Sequence, residues 1–452
     1  MGRLFGTDGV RGVVNEELTP ELALRLGEAV GTWLGPDRRV LVGRDVRAGG
    51  EMIKSAVVAG LRSAGVEVWD AGLAPTPAIQ YATKRLEYDG AVIVTASHNP
   101  PQYNGIKVVA GDGVEIPRSA EREIEEIFFE SRFHRLGWKE LSEGVGREDR
   151  VLKTYVDGIV GLVDRDAIAS WGFKVLVDPA NSVGALVLPQ VLRRLGVRVV
   201  TLNGHLDPAF PGREPEPTVE SLAETARVTV AVGADLAVGT DGDADRSIFI
   251  DEKGNIHWGD RSAALLAGHL AEKEPNAPRR VYTAVSSSGL VEEYLKPMGI
   301  DVVWMKVGSV DISRRLMEEE GLCGFEENGG FMYPRHHPVR DAAMTTALML
   351  EMMANEEEPA SKLFDRLPKY YPLKTKVPMT RDKALRAVNL VREKYSDHRQ
   401  VTIDGVRVVG EDYWFLVRPS GTEPVLRIMV EAKSPDRAKR LAEELKALVM
   451  KA

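Results

Sequence analysis

The chain has 452 residues and one cysteine, Cys323. No intramolecular disulfide can form, so a stapled secreted fold is excluded and a reducing, cytoplasmic setting is expected. No stretch approaches the roughly 20 apolar residues of a membrane span. The amino terminus lacks the apolar core of a signal peptide. There is no excess of positive charge: the formal net charge is −8. That balance argues against a nucleic-acid or anionic-membrane partner, and anionic substrates must be met by local basic groups. Glutamine (four) and asparagine (ten) are scarce, which together with the many charges hints at a thermophile. What is present is globular: 44% hydrophobic and 28% charged residues, in a chain too long for one hydrophobic core. About two to four domains are expected.

Strand-like and helix-like stretches alternate. Arg39-Val40-Leu41-Val42-Gly43-Arg44-Asp45 reads as a strand, residues 51–64 as a helix stopped by Gly65, and Val66-Glu67-Val68-Trp69-Asp70 as a second strand. This βαβ signature recurs from Lys174-Val175-Leu176-Val177-Asp178 and again from Arg280-Val281-Tyr282-Thr283-Ala284. Three such units, roughly a hundred residues apart, predict three related α/β domains. The charged stretch 144–150 reads as a linker, 251–255 as a second boundary, and 369–372 as the start of a fourth unit. That last unit mixes strands with helix-like stretches at 381–395 and 436–451. The expected domains are 1–150, 151–252 and 253–367, all α/β, and 368–452, α+β.

Four loops carry chemistry. Thr95-Ala96-Ser97-His98-Asn99-Pro100 follows the strand-like Ala91-Val92-Ile93-Val94. It places a serine hydroxyl on exposed backbone at the carboxyl end of a strand, where open α/β sheets bind ligands. Once activated, such a hydroxyl can become a covalent carrier. Asp241-Gly242-Asp243-Ala244-Asp245-Arg246 alternates three carboxylates between two strand-like runs. Packing like charge is costly without a cation, and few hard oxygen ligands suit Mg²⁺. An EF-hand is excluded, because Arg246 stands where that loop needs glycine and the flanks read as strands. An acidic surface turn is the plainer alternative.

The third loop, Arg418-Pro419-Ser420-Gly421-Thr422-Glu423-Pro424, followed by Arg427, offers hydroxyls, amides and guanidinium groups to a phosphate. Its alternative is a polar hairpin. In the fourth, Gly324-Phe325-Glu326-Glu327-Asn328-Gly329-Gly330, a Glu and an Asn could hold sugar hydroxyls or merely face solvent.

Together with Leu4-Phe5-Gly6-Thr7-Asp8-Gly9-Val10-Arg11-Gly12, these loops, in this order and over essentially the whole chain, resemble the α-D-phosphohexomutase superfamily. The Glu-Glu-Asn-Gly-Gly form of the sugar loop is similar to archaeal members. The resemblance implies three similar mixed α/β domains and a smaller C-terminal α+β domain around a central cleft. It implies an isomerase that interconverts hexose 6-phosphate and hexose 1-phosphate. Glucosamine phosphate is the leading substrate, with a phosphomannomutase/phosphoglucomutase as the alternative.

By the same resemblance Ser97 carries the phosphoryl group, and Asp241, Asp243, Asp245 and a phosphoserine oxygen hold Mg²⁺. Hexose 1,6-bisphosphate is the intermediate. Arg11, His98, Lys107 and Arg246 line the reaction centre. Ser420, Gly421, Thr422, Arg418 and Arg427 grip the second phosphate, Glu326 and Asn328 hold sugar hydroxyls, and Lys306 faces substrate. Lys107 lies ten residues after Ser97, as the family pattern expects; its plainer reading is a salt-bridged surface lysine.

Neighbours on an extended chain point to opposite faces, so a direct Ser97–His98 pair is not expected. His336 and His337 lack a fitting acidic or cysteine partner and read as surface or substrate-side residues. The sugar loop departs from many relatives at Phe325, Asn328 and Gly330, the last standing where the family often has His. Two readings of other classes compete: a Mg²⁺-dependent sugar-phosphate phosphatase and a non-catalytic sensor. The phosphate cradle argues against the first and the intact Ser97 and carboxylates against the second.

Overall fold

The computed structural model describes residues 4–6, 8–141, 144–420 and 424–452. The chain divides into two compact units. One joins Met1–Gly259 to Asn328–Leu363, and the other joins Asp260–Glu327 to Phe364–Ala452.

In the first unit, apolar runs bounded by glycine and charge become the strands of two mixed sheets. The first sheet has the order Val10–Val13, Tyr103–Ala110, Gly90–Val94, Arg39–Arg44, Glu67–Leu73, Gly146–Arg147. Arg39–Arg44 runs parallel to both of its neighbours, and Tyr103–Ala110 is antiparallel to Gly90–Val94. Alternate residues Val40 and Val42, Val92 and Val94, and Ile106 and Val108 share one buried face. Helices Pro20–Leu34, Gly50–Ser63 and Arg118–Glu130 contribute Leu26, Ile53, Val57, Ile124 and Phe128 to the same cluster. Thr19 caps the first of these helices by accepting from the Leu22 amide at 3.2 Å, and Pro20 fits its first turn.

The second sheet repeats the plan. Lys174–Asp178 lies parallel to Arg198–Thr201 and to Leu236–Thr240, and Ser247–Asp251 is antiparallel beyond. The segment read as a linker does more than connect: Gly146–Arg147 adds a parallel edge strand beside Glu67–Leu73. Just after it, Glu148 accepts from the Tyr88 hydroxyl at 2.8 Å and pairs with Arg150. An antiparallel hairpin, Phe331–Tyr333 with His337–Arg340, leads into the helix Ala342–Glu356. Asp341 caps that helix, accepting from the Met344 amide at 2.9 Å.

In the second unit, Arg280–Ala284 lies parallel to Asp301–Met305 and Cys323–Phe325, the same parallel core again. A separate antiparallel sheet runs Tyr371–Pro378, Val425–Ala432, Tyr413–Pro419, Val406–Val409, Arg399–Val401. Helices Arg381–Lys394 and Pro435–Val449 cover it, burying Val391, Leu441 and Leu445 against Phe415 and Ile428. The architecture is thus three mixed α/β domains followed by an α+β domain.

Of the cross-links within the first unit, the Tyr155 hydroxyl donates to Asp341 Oδ1 at 2.5 Å with both groups buried. Burial and this carboxylate push the Tyr155 phenol well above its ordinary pKa. Tyr155→Phe removes one of the two donors to Asp341 Oδ1, leaving only the Met344 amide, and is expected to cost about 1–3 kcal/mol. A lowered urea midpoint with unchanged slope checks this.

Candidate active site

Ser97 follows the strand Gly90–Val94, and the loop that holds it is tied down on every side. The Thr95 hydroxyl donates to Asp45 Oδ2 at 2.6 Å and accepts from the Ser97 amide at 2.9 Å. Arg47, itself buried and paired with Asp45 at 3.1 Å, donates to four carbonyls: Ser97 and Asn99 at 2.6 Å, Pro100 at 2.9 Å and Tyr103 at 3.1 Å. Ser97 is held at φ +52°, a left-handed conformation that side chains other than glycine seldom adopt. Two expectations change here. Ser97 is fully buried rather than exposed, because the acidic loop lies against it. His98 Nδ1 also stands 3.3 Å from Ser97 Oγ. The opposite-face rule holds for extended chain, and the left-handed turn at Ser97 removes it. Burial and the positive charges of Arg246 and Arg11 hold His98 far below its ordinary pKa, and so neutral.

The acidic loop connects strands Leu236–Thr240 and Ser247–Asp251, as the pattern predicts. It is not a surface turn: Asp241, Asp243 and Asp245 are all buried. One oxygen from each can be chosen so that all lie within 4.8 Å of one another. Gly242 permits the approach, since a Cβ there would stand 2.5 Å from the Ser97 carbonyl oxygen. Ser97 Oγ donates to Asp241 Oδ2 at 2.7 Å. Asp241 Oδ1 accepts the amides of Asp245 and Arg246, both at 3.1 Å. Burial and the neighbouring Asp245 and Asp243 raise the Asp241 pKa well above the usual carboxylate range. Burial would raise Asp243 too, but Lys107 and the Thr76 hydroxyl, which donates at 2.7 Å, hold it low. Asp243 Oδ1 and Asp245 Oδ1 are buried with no hydrogen-bond partner. Buried carboxylate oxygens without hydrogen bonds, gathered in one place, fit a hard divalent cation.

Lys107 is buried, not a surface lysine, and lies 3.1 Å from Asp243, 3.2 Å from Asp8 and 3.4 Å from Asp245. Burial alone would lower its pKa. The carboxylates of Asp243, Asp8 and Asp245 outweigh it and raise the pKa, so Lys107 stays charged. Arg11 donates to the Ala96 carbonyl at 3.1 Å, to Asn99 Oδ1 at 2.7 Å and to Asp8 Oδ2 at 2.8 Å. Arg246 pairs with Glu216 at 2.8 Å. The structure therefore gathers Ser97, His98, Arg11, Lys107, Arg246 and the three aspartates.

Asn328 also belongs to the first unit, where its Oδ1 accepts from the Gly330 amide at 3.2 Å. Glu326, Lys306, Arg418, Ser420 and Arg427 belong to the second. There Arg418 and Arg427 face each other in register across two antiparallel strands. The Ser420 amide donates to the Val425 carbonyl at 2.8 Å, closing the base of the loop. Asp404 Oδ2 lies 3.2 Å from both Arg418 and the Val307 amide, next to the exposed Lys306. Gly421 and Thr422 lie outside the described residues.

His336 and His337 are buried rather than at the surface. The His336 ring stacks on Tyr81 at 4.3 Å, and His337 Nε2 lies 2.9 Å from the Gly113 carbonyl oxygen. Sequence reasoning missed Asp45, Arg47, Thr76 and Arg340. The sequence marks the strand before the first two, but their place at the site depends on which strand lies beside it. They follow the strand Arg39–Arg44, which runs parallel to Gly90–Val94, so both strands end at one edge. Arg340 lies 2.6 Å from Asp245 and 3.0 Å from Asp8, and no local pattern marks it.

Models of the phosphoglucomutase/phosphomannomutase family match the chain in order: alpha/beta/alpha domain I at residues 2–135, domain II at 153–254, domain III at 258–371 and the C-terminal domain at 375–448. A phosphoglucosamine/phosphogalactosamine mutase of Sulfurisphaera tokodaii is 56% identical over 99% of both chains. A phosphoglucomutase/phosphomannomutase of Thermococcus kodakarensis is 44% identical over 98% of this chain and 97% of its own. The crystal structure of a phosphoglucomutase/phosphomannomutase family protein from Burkholderia thailandensis superposes with a TM-score of 0.88 at 27% identity, covering 99% of this chain and 96% of that one. The chain belongs to the phosphoglucomutase/phosphomannomutase family and is a phosphohexomutase, an isomerase that transfers a phosphoryl group within its substrate.

Proposed function

We propose that the chain interconverts the 6-phosphate and 1-phosphate of a 2-amino hexose, glucosamine first, through a phosphorylated Ser97. The observation that carries this reading is the buried Ser97 Oγ, 2.7 Å from Asp241 Oδ2 and beside two further carboxylates. Asp241, Asp243, Asp245 and a phosphoryl oxygen on Ser97 would hold Mg²⁺. Bound there, the ion would supply neutralisation of charge on the transferring group. Lys107, Arg11 and Arg246 add fixed positive charge around the same point, and Arg47 keeps the loop backbone in place for in-line attack. Ser97 gives its phosphoryl group to the sugar monophosphate. The hexose 1,6-bisphosphate turns over, and its other phosphate returns to Ser97. Arg418, Ser420, Gly421, Thr422 and Arg427 grip the phosphate that is not reacting. Lys306, Glu326 and Asn328 meet the sugar in both orientations. We place the protein in the cytoplasm on the strength of its single, buried cysteine.

Support for the amino sugar comes from the 56% identical relative, which is named for glucosamine and galactosamine phosphates. The 44% identical relative, named for glucose and mannose phosphates, favours the second reading. Membership of the family sets the phosphatase reading aside.

³¹P NMR with Mg²⁺, a trace of hexose bisphosphate and separate tubes of glucosamine-, galactosamine-, glucose- and mannose-6-phosphate tests the proposal. Growth of a 1-phosphate signal, fastest with glucosamine, is expected. A faster rate with glucose or mannose overturns the amino-sugar reading, and release of inorganic phosphate overturns the mutase.

Asp243→Ala is expected to lower turnover by about 100-fold or more and to abolish Mg²⁺ binding. Calorimetric titration of Mg²⁺ and steady-state rates check both. Arg47→Met removes the donor that four carbonyls share, only that of Pro100 keeping the Tyr103 amide among the backbone bonds of this loop, and lets the Ser97 loop shift. About a 100-fold loss in kcat/KM is expected, since misplacement of about 1 Å costs that much.

A further inference from the structure

Gly330, at the end of the sugar loop, bears on the acidic loop through one side chain. A Cβ at residue 330 would stand 2.4 Å from Arg340 Cδ and 2.9 Å from its Cγ. The aliphatic stem of Arg340 therefore lies directly across the Gly330 backbone, and a Cβ there would have to displace it. The hairpin fixes this crossing, because Arg340 stands opposite Met332, two residues beyond Gly330. The next residue, Asp341, is anchored by Tyr155 and caps the helix Ala342–Glu356, so the stem starts from a rigid point.

The guanidinium group then reaches 2.6 Å from Asp245 Oδ2 and 3.0 Å from Asp8 Oδ2. Lys107 bridges the same two carboxylates at 3.4 Å and 3.2 Å. Asp8, Arg340, Asp245 and Lys107 thus form a closed ring in which the signs of charge alternate. Within it, Asp245 Oδ2 is neutralised by the ring, and Oδ1 is buried without a hydrogen bond, with Arg246 Nε 3.9 Å away.

We propose that Arg340 is a positioning residue for phosphoryl transfer, turning Asp245 so that its second oxygen faces the metal point, and that Gly330 is the seat that admits it. This rests on reading Asp241, Asp243 and Asp245 as the metal loop. Arg340 acts through Asp245 and Asp8.

The test is a double-mutant cycle between Gly330→Ala and Arg340→Ala, followed by kcat, KM and calorimetric titration of Mg²⁺ alone into unphosphorylated protein. Gly330→Ala keeps every charge but pushes the stem aside. It is expected to lower kcat about tenfold or more, with KM changed less than about threefold, and to weaken Mg²⁺ binding several-fold. In the Arg340→Ala background the stem is gone, so Gly330→Ala should add almost nothing; contacting residues depart from additivity in this way. Additive losses, or a Gly330→Ala protein with native kcat and native Mg²⁺ affinity, overturn the proposal. Should Arg340→Ala fail to fold by circular dichroism, Arg340→Lys replaces it. A lysine keeps the charge but lacks the planar guanidinium that sets Nη2 between the two carboxylates, and a loss of about tenfold in kcat is expected; native kcat overturns the proposal. Asp243→Ala separates the two readings. If that variant still binds Mg²⁺, the metal-loop reading falls. If it does not, and Gly330→Ala behaves as the native protein, only the role of Arg340 falls.

Discussion

Asp8, Asp241, Asp243 and Asp245 crowd into one water-poor region beside a neutral histidine and a buried serine. Removing an isolated charge from water costs several kcal/mol per ion even after relaxation, so this arrangement stands only where positive charge is packed in with it. Lys107 and Arg340 answer Asp8 and Asp245, and Lys107 also answers Asp243. No lysine or arginine side chain among the described residues pairs with Asp241 at that distance, and Asp241 has the raised pKa. Much of the first unit serves this balance. Strand ends aim the loops inward, helix Thr76–Arg85 begins with the hydroxyl that binds Asp243, and a capped helix anchors the chain next to Arg340.

The parts of the fold that rest on local pattern were legible. Lys174–Asp178 and Arg280–Ala284 are strands residue for residue as read, because apolar runs bounded by charge or glycine leave few other choices. The two helices of the last domain lie within a residue or two of their expected ends. The site loops were legible for a related reason: their chemistry is concentrated in a few consecutive residues.

What escaped depends on strand order and on single backbone angles. Asp45 and Arg47 matter because Arg39–Arg44 happens to neighbour Gly90–Val94, and no local pattern states which strands are neighbours. The Ser97–His98 contact hangs on one φ value. His336 and His337 sit between Pro334-Arg335 and Pro338, a stretch that reads as surface. They are buried because Tyr81 and Gly113, more than two hundred residues earlier, receive them. Arg340 needs a hairpin register and a glycine ten residues earlier to be seen at all.

The grip of Arg47 has one more consequence. Its four bonds all end on main-chain oxygens, and none touches the Ser97 hydroxyl. A clamp of that kind is blind to what the serine carries. The loop can keep one shape through two covalent states, so the catalytic cycle need not rebuild its nucleophile's platform each time the phosphoryl group leaves and returns.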